Sequence, residues 1–315
     1  MQRRWRDRLR QVGVLALGAA CLSGWGAAQA ALQVFACEPE WAALTRELAG
    51  EHATVYTATT AQQDPHRVQA RPSLMAAARK ADLLVCTGAE LESGWLPLVL
   101  RQSGNARVQA GQPGHFEAAA FVRLLDVPAD VDRADGDVHA SGNPHIQTAP
   151  GTFAVVAPAL VQRLVQLDPP RAAVYQQRLK DFQQRWAAAT LRWTQAAQPL
   201  KGVRIVVQHK GFAYLEHWLG LQTAAALEPK PGVEPTSAHL AGVLRQLQAQ
   251  PARVVVRAAY HEGRGAQWLA DRARMPVVVL PYTVGGSERA ADLFGLFDDT
   301  VDRLLQGAAL GKAQP

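Results

Sequence analysis

The chain has 315 residues, with 33 basic against 27 acidic side chains and hydrophobic residues making up 48%. That length suits two ordinary domains, and the apolar content excludes a disordered chain. A formal net charge of +6 invites a nucleic-acid partner, but its distribution argues against one.

Met1–Gln11 holds five arginines and one aspartate, and Val12–Ala27 is a run of small and apolar residues. Ala28-Gln29-Ala30 then forms the A-x-A pattern that signal peptidase reads. Residues 1–30 are therefore expected to be a signal peptide, cleaved before Ala31. The apolar run falls short of the roughly 20 residues a membrane helix needs. Cys21 has Gly18 at the third position before it, where a lipoprotein signal carries leucine. Without the leader, 28 basic residues face 26 acidic ones, a net charge of about +2. No nucleic-acid partner is expected, and the location implied is periplasmic. Cys37 and Cys86 remain, each in a short apolar strand. In an oxidising compartment they form a disulfide if those strands are neighbours, and stay buried thiols if not.

The mature chain opens with a strand over Leu32–Cys37, a helical pattern over Glu40–Leu48 and a strand over Ala53–Thr57. Pro72–Lys80 reads as a helix and Leu83–Cys86 as a fully apolar strand. This first lobe covers 31–150. A helical segment follows over 151–200, interrupted at Asp168-Pro169-Pro170, where Asp168 is placed to cap the next helix. That helix, Arg171–Ala197, would span roughly 40 Å, and Pro199 and Gly202 stop it. The second lobe, 201–315, has strands over Val203–Gln208, Arg253–Arg257 and Pro276–Leu280. Its helices cover Tyr214–Leu219, His239–Leu247 and Gln267–Arg272, with a last one from about Ser287 and a kink at Gly295. Alternating strands and helices predict an α/β fold: two lobes of mostly parallel sheet with covering helices, joined by one long rigid helix.

Nine histidines are available for metal chemistry. Imidazole suits zinc, and a site needs three or four such ligands from separate elements. His66 lies in a loop after the second strand, His145 in the loop closing lobe one, and His209 just past the first strand of lobe two. In open α/β sheets ligands gather at the carboxyl ends of strands, so these three suit a cleft between lobes. His139 lies in an acidic loop, Asp130 to His139, and reads as solvated, with loose recruitment of ions as the alternative. His217 and His239 read as helix-surface residues, His52 and His115 as loop residues, and His261 as a reserve ligand beside Glu262.

Ordered motifs carry a family resemblance over nearly the whole mature sequence. They are Asp64-Pro65-His66 with Arg71-Pro72-Ser73, and Ala81–Val85 followed by Gly88-Ala89-Glu90-Leu91-Glu92 and Trp95. Asn143-Pro144-His145, His209–Gly220 and Glu234-Pro235-Thr236-Ser237 complete them. Together they resemble the periplasmic zinc and manganese solute-binding proteins that serve ABC importers. The resemblance implies a metal site at His66, His145 and His209, no enzymatic activity, and a monomer that delivers its ion to the membrane permease. Asp64 and Glu90 are candidate acceptors for the ligands' second ring nitrogens. A departure is the loop after the last strand, Pro281–Gly286, which lacks the carboxylate that the family often supplies as fourth ligand. Glu262, Glu288, His261 or water is then left for that position, and an all-histidine site favours zinc (Zn2+) over manganese (Mn2+). An exported zinc-dependent hydrolase, or a metal-binding adhesin or interaction protein, is the alternative function. The long helix between lobes further implies that metal binding orders the loops near His139 and Val284 more than it swings the lobes.

Overall fold

The computed structural model describes residues 30–130 and 136–311. The expected leader lies outside the described residues except for Ala30, as do positions 131–135 of the acidic loop. Strands β1 (Leu32–Ala36), β2 (Ala53–Thr57), β3 (Leu83–Cys86) and β4 (His115–Glu117) form one parallel sheet in the order β2-β1-β3-β4. Strands β5 (Arg204–Val207), β6 (Gln222–Ala226), β7 (Val254–Ala258) and β8 (Val277–Leu280) form a second, in the equivalent order β6-β5-β7-β8. The central strands are near-continuous apolar runs because helices cover both faces of a parallel sheet; all four residues of β3 are buried. In each sheet the connections diverge on either side of the first strand, which opens a crevice at the carboxyl ends.

The first sheet is covered by α1 (Pro39–Ala49), α2 (Pro72–Lys80) and α3 (Leu96–Ser103). The second has α6 (Ala213–Leu219), α7 (Ser237–Ala249), α8 (Arg264–Ala273) and α9 (Leu293–Leu310). Between them run α4 (Pro150–Leu167) and the 25-residue α5 (Ala172–Ala196), about 38 Å long. Helix α5 grips both lobes from one face. Arg178 Nε donates to the Glu47 carbonyl at 2.9 Å and Arg185 pairs with the Glu47 carboxylate at 2.5 Å, both on α1. One heptad further on, Arg192 and Trp193 Nε1 reach Asp298 of α9 at 2.9 and 2.6 Å. A seven-residue spacing drifts by only ~20° around a helix, so these arginines stay on one side. Beneath them Phe182, Trp186 and Trp193 interleave with Phe153 of α4 and Phe294 and Phe297 of α9 in one apolar cluster. Among the described residues, no helix is long and apolar enough to cross a membrane.

The structure departs from the sequence expectations at several points. Asp168 offers no side-chain cap to the turn that follows it; buried, its carboxylate instead takes Arg171 Nη1 at 2.8 Å and the Tyr175 hydroxyl at 2.5 Å. The last helix starts at Leu293, capped by Asp292, which accepts the Gly295 amide at 2.8 Å. Gly295 therefore sits in a capped first turn and not inside the helix, while Ser287 belongs to the preceding turn and donates to Asp299 at 2.6 Å. Strands β4 and β6 escape a pattern reading because one has three residues and the other is Gln-Thr-Ala-Ala-Ala at a sheet edge. His115 accordingly lies on β4 and not in a loop.

Cys37 and Cys86 are joined in a disulfide, with Cα atoms 4.8 Å apart, because β1 and β3 pair directly. Closing a loop of sequence separation 49 corresponds to about 4 kcal/mol of lost unfolded-chain entropy. Reduction, or the Cys37→Ser/Cys86→Ser variant, is expected to lower the unfolding free energy by roughly that amount in denaturant titrations.

A second tie crosses between the lobes: the Thr283 hydroxyl, in the loop after β8, donates to the carboxyl of Glu40 at the start of α1. Burial pushes Glu40 up from the ordinary 4.5 to about 7, against the pull of that hydrogen bond. Between those values the folded chain keeps a proton the unfolded chain has lost, so this group's stabilisation falls as pH rises. Glu40→Gln keeps an acceptor for Thr283 and removes the ionisation. Its denaturation midpoint should match the parent's near pH 4.5 and climb relative to it through pH 7; a constant offset would contradict the assignment.

Candidate metal centre

His66 stands in a short 3-10 turn, Pro65–Arg67. Asp64 caps that turn, its carboxylate accepting the His66 backbone amide at 3.0 Å and the ring Nδ1–H at 2.8 Å. The second bond fixes the tautomer, so the Nε2 lone pair points away from Asp64 and into the cleft. Burial raises the Asp64 carboxyl, but the bonds from His66 outweigh it and hold the group below its ordinary value.

His145 is buried at the end of the first lobe, its amide bonded to Asn143 Oδ1 at 3.1 Å and its carbonyl to the Thr148 hydroxyl. Its Nδ1 is buried without a hydrogen-bond partner among the described residues. Burial, together with the surrounding imidazoles, drives its pKa well below the ordinary value, so it is neutral. His209 follows β5, from the other lobe, with Nδ1 2.7 Å from Glu228 Oε2. Glu228, just beyond β6, also accepts the Gly232 amide at 2.8 Å. The Nε2 atoms of His145 and His209 are 3.2 Å apart.

His66, His145 and His209 thus bring one ring nitrogen each within 4.8 Å of the others, a geometry able to hold a metal ion. The expected acceptors divide: Asp64 holds His66, whereas Glu90 turns to the Ala140 amide at 2.6 Å. Glu228 takes the remaining part. Its position in sequence, nineteen residues beyond His209 and past a strand that was not foreseen, gives no signal of this.

His139 corrects the reading of a solvated loop residue. It is half-buried, and its Nε2 lies 3.2 Å from His66 Nε2. Burial first, then the neighbouring His66, lowers it to about 4. His139 falls outside the compact group of three and approaches it through His66. The other proposed fourth donors do not join the group. The Glu262 side chain is 70% exposed and faces Arg264, and Glu288 is exposed. The ring of His261 is 5.9 Å from His209, but its Nδ1 accepts the Ala258 amide at 3.1 Å. The carboxylate-free loop after β8 presents Tyr282 instead, in a left-handed conformation (φ 69°), with its ring 5.8 Å from His145 and packed on Tyr260 and Phe212.

A family model described as the periplasmic zinc-uptake complex component A, ZnuA, matches residues 34–307. The high-affinity zinc uptake system protein ZnuA of Yersinia pestis is 23% identical over 204 residues, 58% of this chain and 61% of that protein. The manganese ABC transporter substrate-binding lipoprotein scaA of Streptococcus gordonii is 24% identical over 151 residues, 48% and 46% of the two chains. Each of these matches spans less than two thirds of the relative's length. A crystal structure of ZnuA shares the fold, with a TM-score of 0.73 at 19% identity over 88% of this chain and 99% of that one. The matched family is one of non-enzymatic solute-binding proteins. With the family model spanning most of its length, the chain belongs to the ZnuA family of periplasmic metal-binding solute-binding proteins of zinc and manganese ABC transporters.

Proposed function

We propose that this protein, after loss of residues 1–30, captures one zinc ion as a monomer and delivers it to the membrane permease of an ABC importer. His66, His145 and His209 are the ligands, and His139 closes the fourth position. The observation that carries this reading is the spacing of the ring nitrogens. Zinc–nitrogen bonds of about 2.0–2.1 Å in a tetrahedron put neighbouring nitrogens about 3.3 Å apart. The pairs His145–His209 and His66–His139 each stand at 3.2 Å, the length of one edge of such a tetrahedron.

The donor set favours zinc over manganese. Manganese prefers oxygen ligands, and the nearest carboxylates, Asp64 and Glu228, are engaged in holding ring N–H groups. His139 and His145, kept neutral by burial, offer their lone pairs without first losing a proton. With α5 fixing the lobes, loading should order the loops around His139 and Val284 more than it moves the lobes.

Competition titration against a chromophoric chelator should give one zinc per chain and much weaker manganese binding. Replacing His66, His145 or His209 by alanine should each weaken zinc by more than the roughly 10–100-fold typical of losing a ligand's supporting partner. His139→Ala should cost less than any of the three. Unchanged zinc binding in all three single variants would rule the site out. Asp64→Asn and Glu228→Gln, which leave the ligands but loosen their Nδ1 anchors, should fall in the 10–100-fold range themselves.

A further inference from the structure

Cys37, just past β1, and Cys86, the last residue of β3, lie side by side, so the disulfide aligns the two residues that follow, Glu38 and Thr87. The Thr87 hydroxyl receives Trp41 Nε1 at 2.8 Å and donates to Glu38 Oε2 at 3.1 Å. Glu92 comes back over this pair. Its carboxylate accepts the backbone amides of Thr87 at 2.7 Å and Gly88 at 3.1 Å. Both glutamates are only 3% exposed, and Glu38 Oε1 has no partner among the described residues. Burial, with the charges of Glu92 and Glu40, pushes Glu38 well above the carboxylate range, and burial pushes Glu92 up to about 7. Two buried carboxyls in contact are costly, and the hydrophobic surroundings do not require them.

What they hold is the loop over 88–95. Gly88, Ala89 and Glu90 take left-handed backbone in succession (φ 77°, 49° and 69°), a run that persists only where its surroundings fix it. The far side of this loop touches the metal centre twice. Trp95 Nε1 donates to the Pro65 carbonyl at 3.0 Å, and Gly94 lies so close that a Cβ there would stand 2.8 Å from the His66 carbonyl. Glu90 accepts the Ala140 amide at 2.6 Å and the Ser141 hydroxyl at 3.4 Å, immediately after His139.

We propose that Glu92, supported by Glu38, is a positioning residue for metal capture: it fixes the loop on which both the His66 turn and the His139 segment are seated. The proposal rests on the reading of His66 as a ligand. It makes unequal demands on the two acids. Position 92 accepts amides on both of its oxygens, which a glutamine with one carbonyl and one NH2 cannot match. Position 38 accepts from the Thr87 hydroxyl, which a glutamine carbonyl can do.

Zinc affinity, read by chelator competition, is compared for the full chain, Glu38→Gln and Glu92→Gln, with circular dichroism of each metal-free form. Glu92→Gln should weaken zinc roughly 10–100-fold, and Glu38→Gln should stay within about twofold. In a His66→Ala/His139→Ala background Glu92→Gln should add less than about twofold, whereas in a His209→Ala background it should keep its full factor. Trp95→Phe, which keeps the ring but loses the N–H to Pro65, should act in the same direction without touching the buried acids. Unchanged affinity in Glu92→Gln and Trp95→Phe, or the same factor in both backgrounds, would overturn the proposal. A His66→Ala variant that binds zinc like the parent would instead overturn the ligand reading beneath it.

Discussion

Two lobes contribute imidazoles to one point, and the distance between those lobes is set by α5. Its arginines fasten α1 at Arg178 and Arg185 and α9 at Arg192, while its aromatic face is buried between α4 and α9. A cluster in which nitrogens from both lobes fall within 4.8 Å of one another tolerates little drift in that separation. The exposed ion pairs alone would contribute little. The apolar interleaving of Phe182, Trp186 and Trp193 with Phe294 and Phe297 supplies most of the grip, and the arginines fix its register.

Electrostatics at the site follow from how each ring is anchored. His66 and His209 give their Nδ1–H groups to Asp64 and Glu228, which turns both Nε2 atoms toward the cleft. His145 has no such partner among the described residues and is kept neutral by burial together with the surrounding imidazoles. The site therefore joins two oriented donors with one desolvated donor. Such a set presents imidazole nitrogens to the cleft while the nearby carboxylates of Asp64 and Glu228 are already engaged.

The fourth side is built differently. His139 is carried on a segment tied to the first lobe by Glu90 and to the second by the Asp137 amide, which donates to the Pro231 carbonyl at 3.0 Å. Arg67, next to His66, links the same parts, reaching Asp137 at 3.3 Å and the Gly232 carbonyl at 2.6 Å. Gly232 in turn donates to Glu228, the anchor of His209. The loops around these histidines thus form a chain of hydrogen bonds through both lobes.

The sequence by itself determined the alternation of strands and helices, the long helix and the placement of His66 and His145 in loops and of His209 just past a strand, because each is a local pattern of apolar period, proline, or motif. Strands β4 and β6 were hidden because short or alanine-rich edge strands carry no distinct period. The start of α9 was misplaced because Ser287 and Asp292 are both good caps, and only the Ser287–Asp299 contact decides between them. Asp64 as the anchor of His66 was legible, being two residues away. Glu228, His139 and the Glu38–Glu92 pair were decided by tertiary structure alone. Each acts on a group far along the chain, across a sheet edge or between lobes, and sequence spacing holds no record of such approaches.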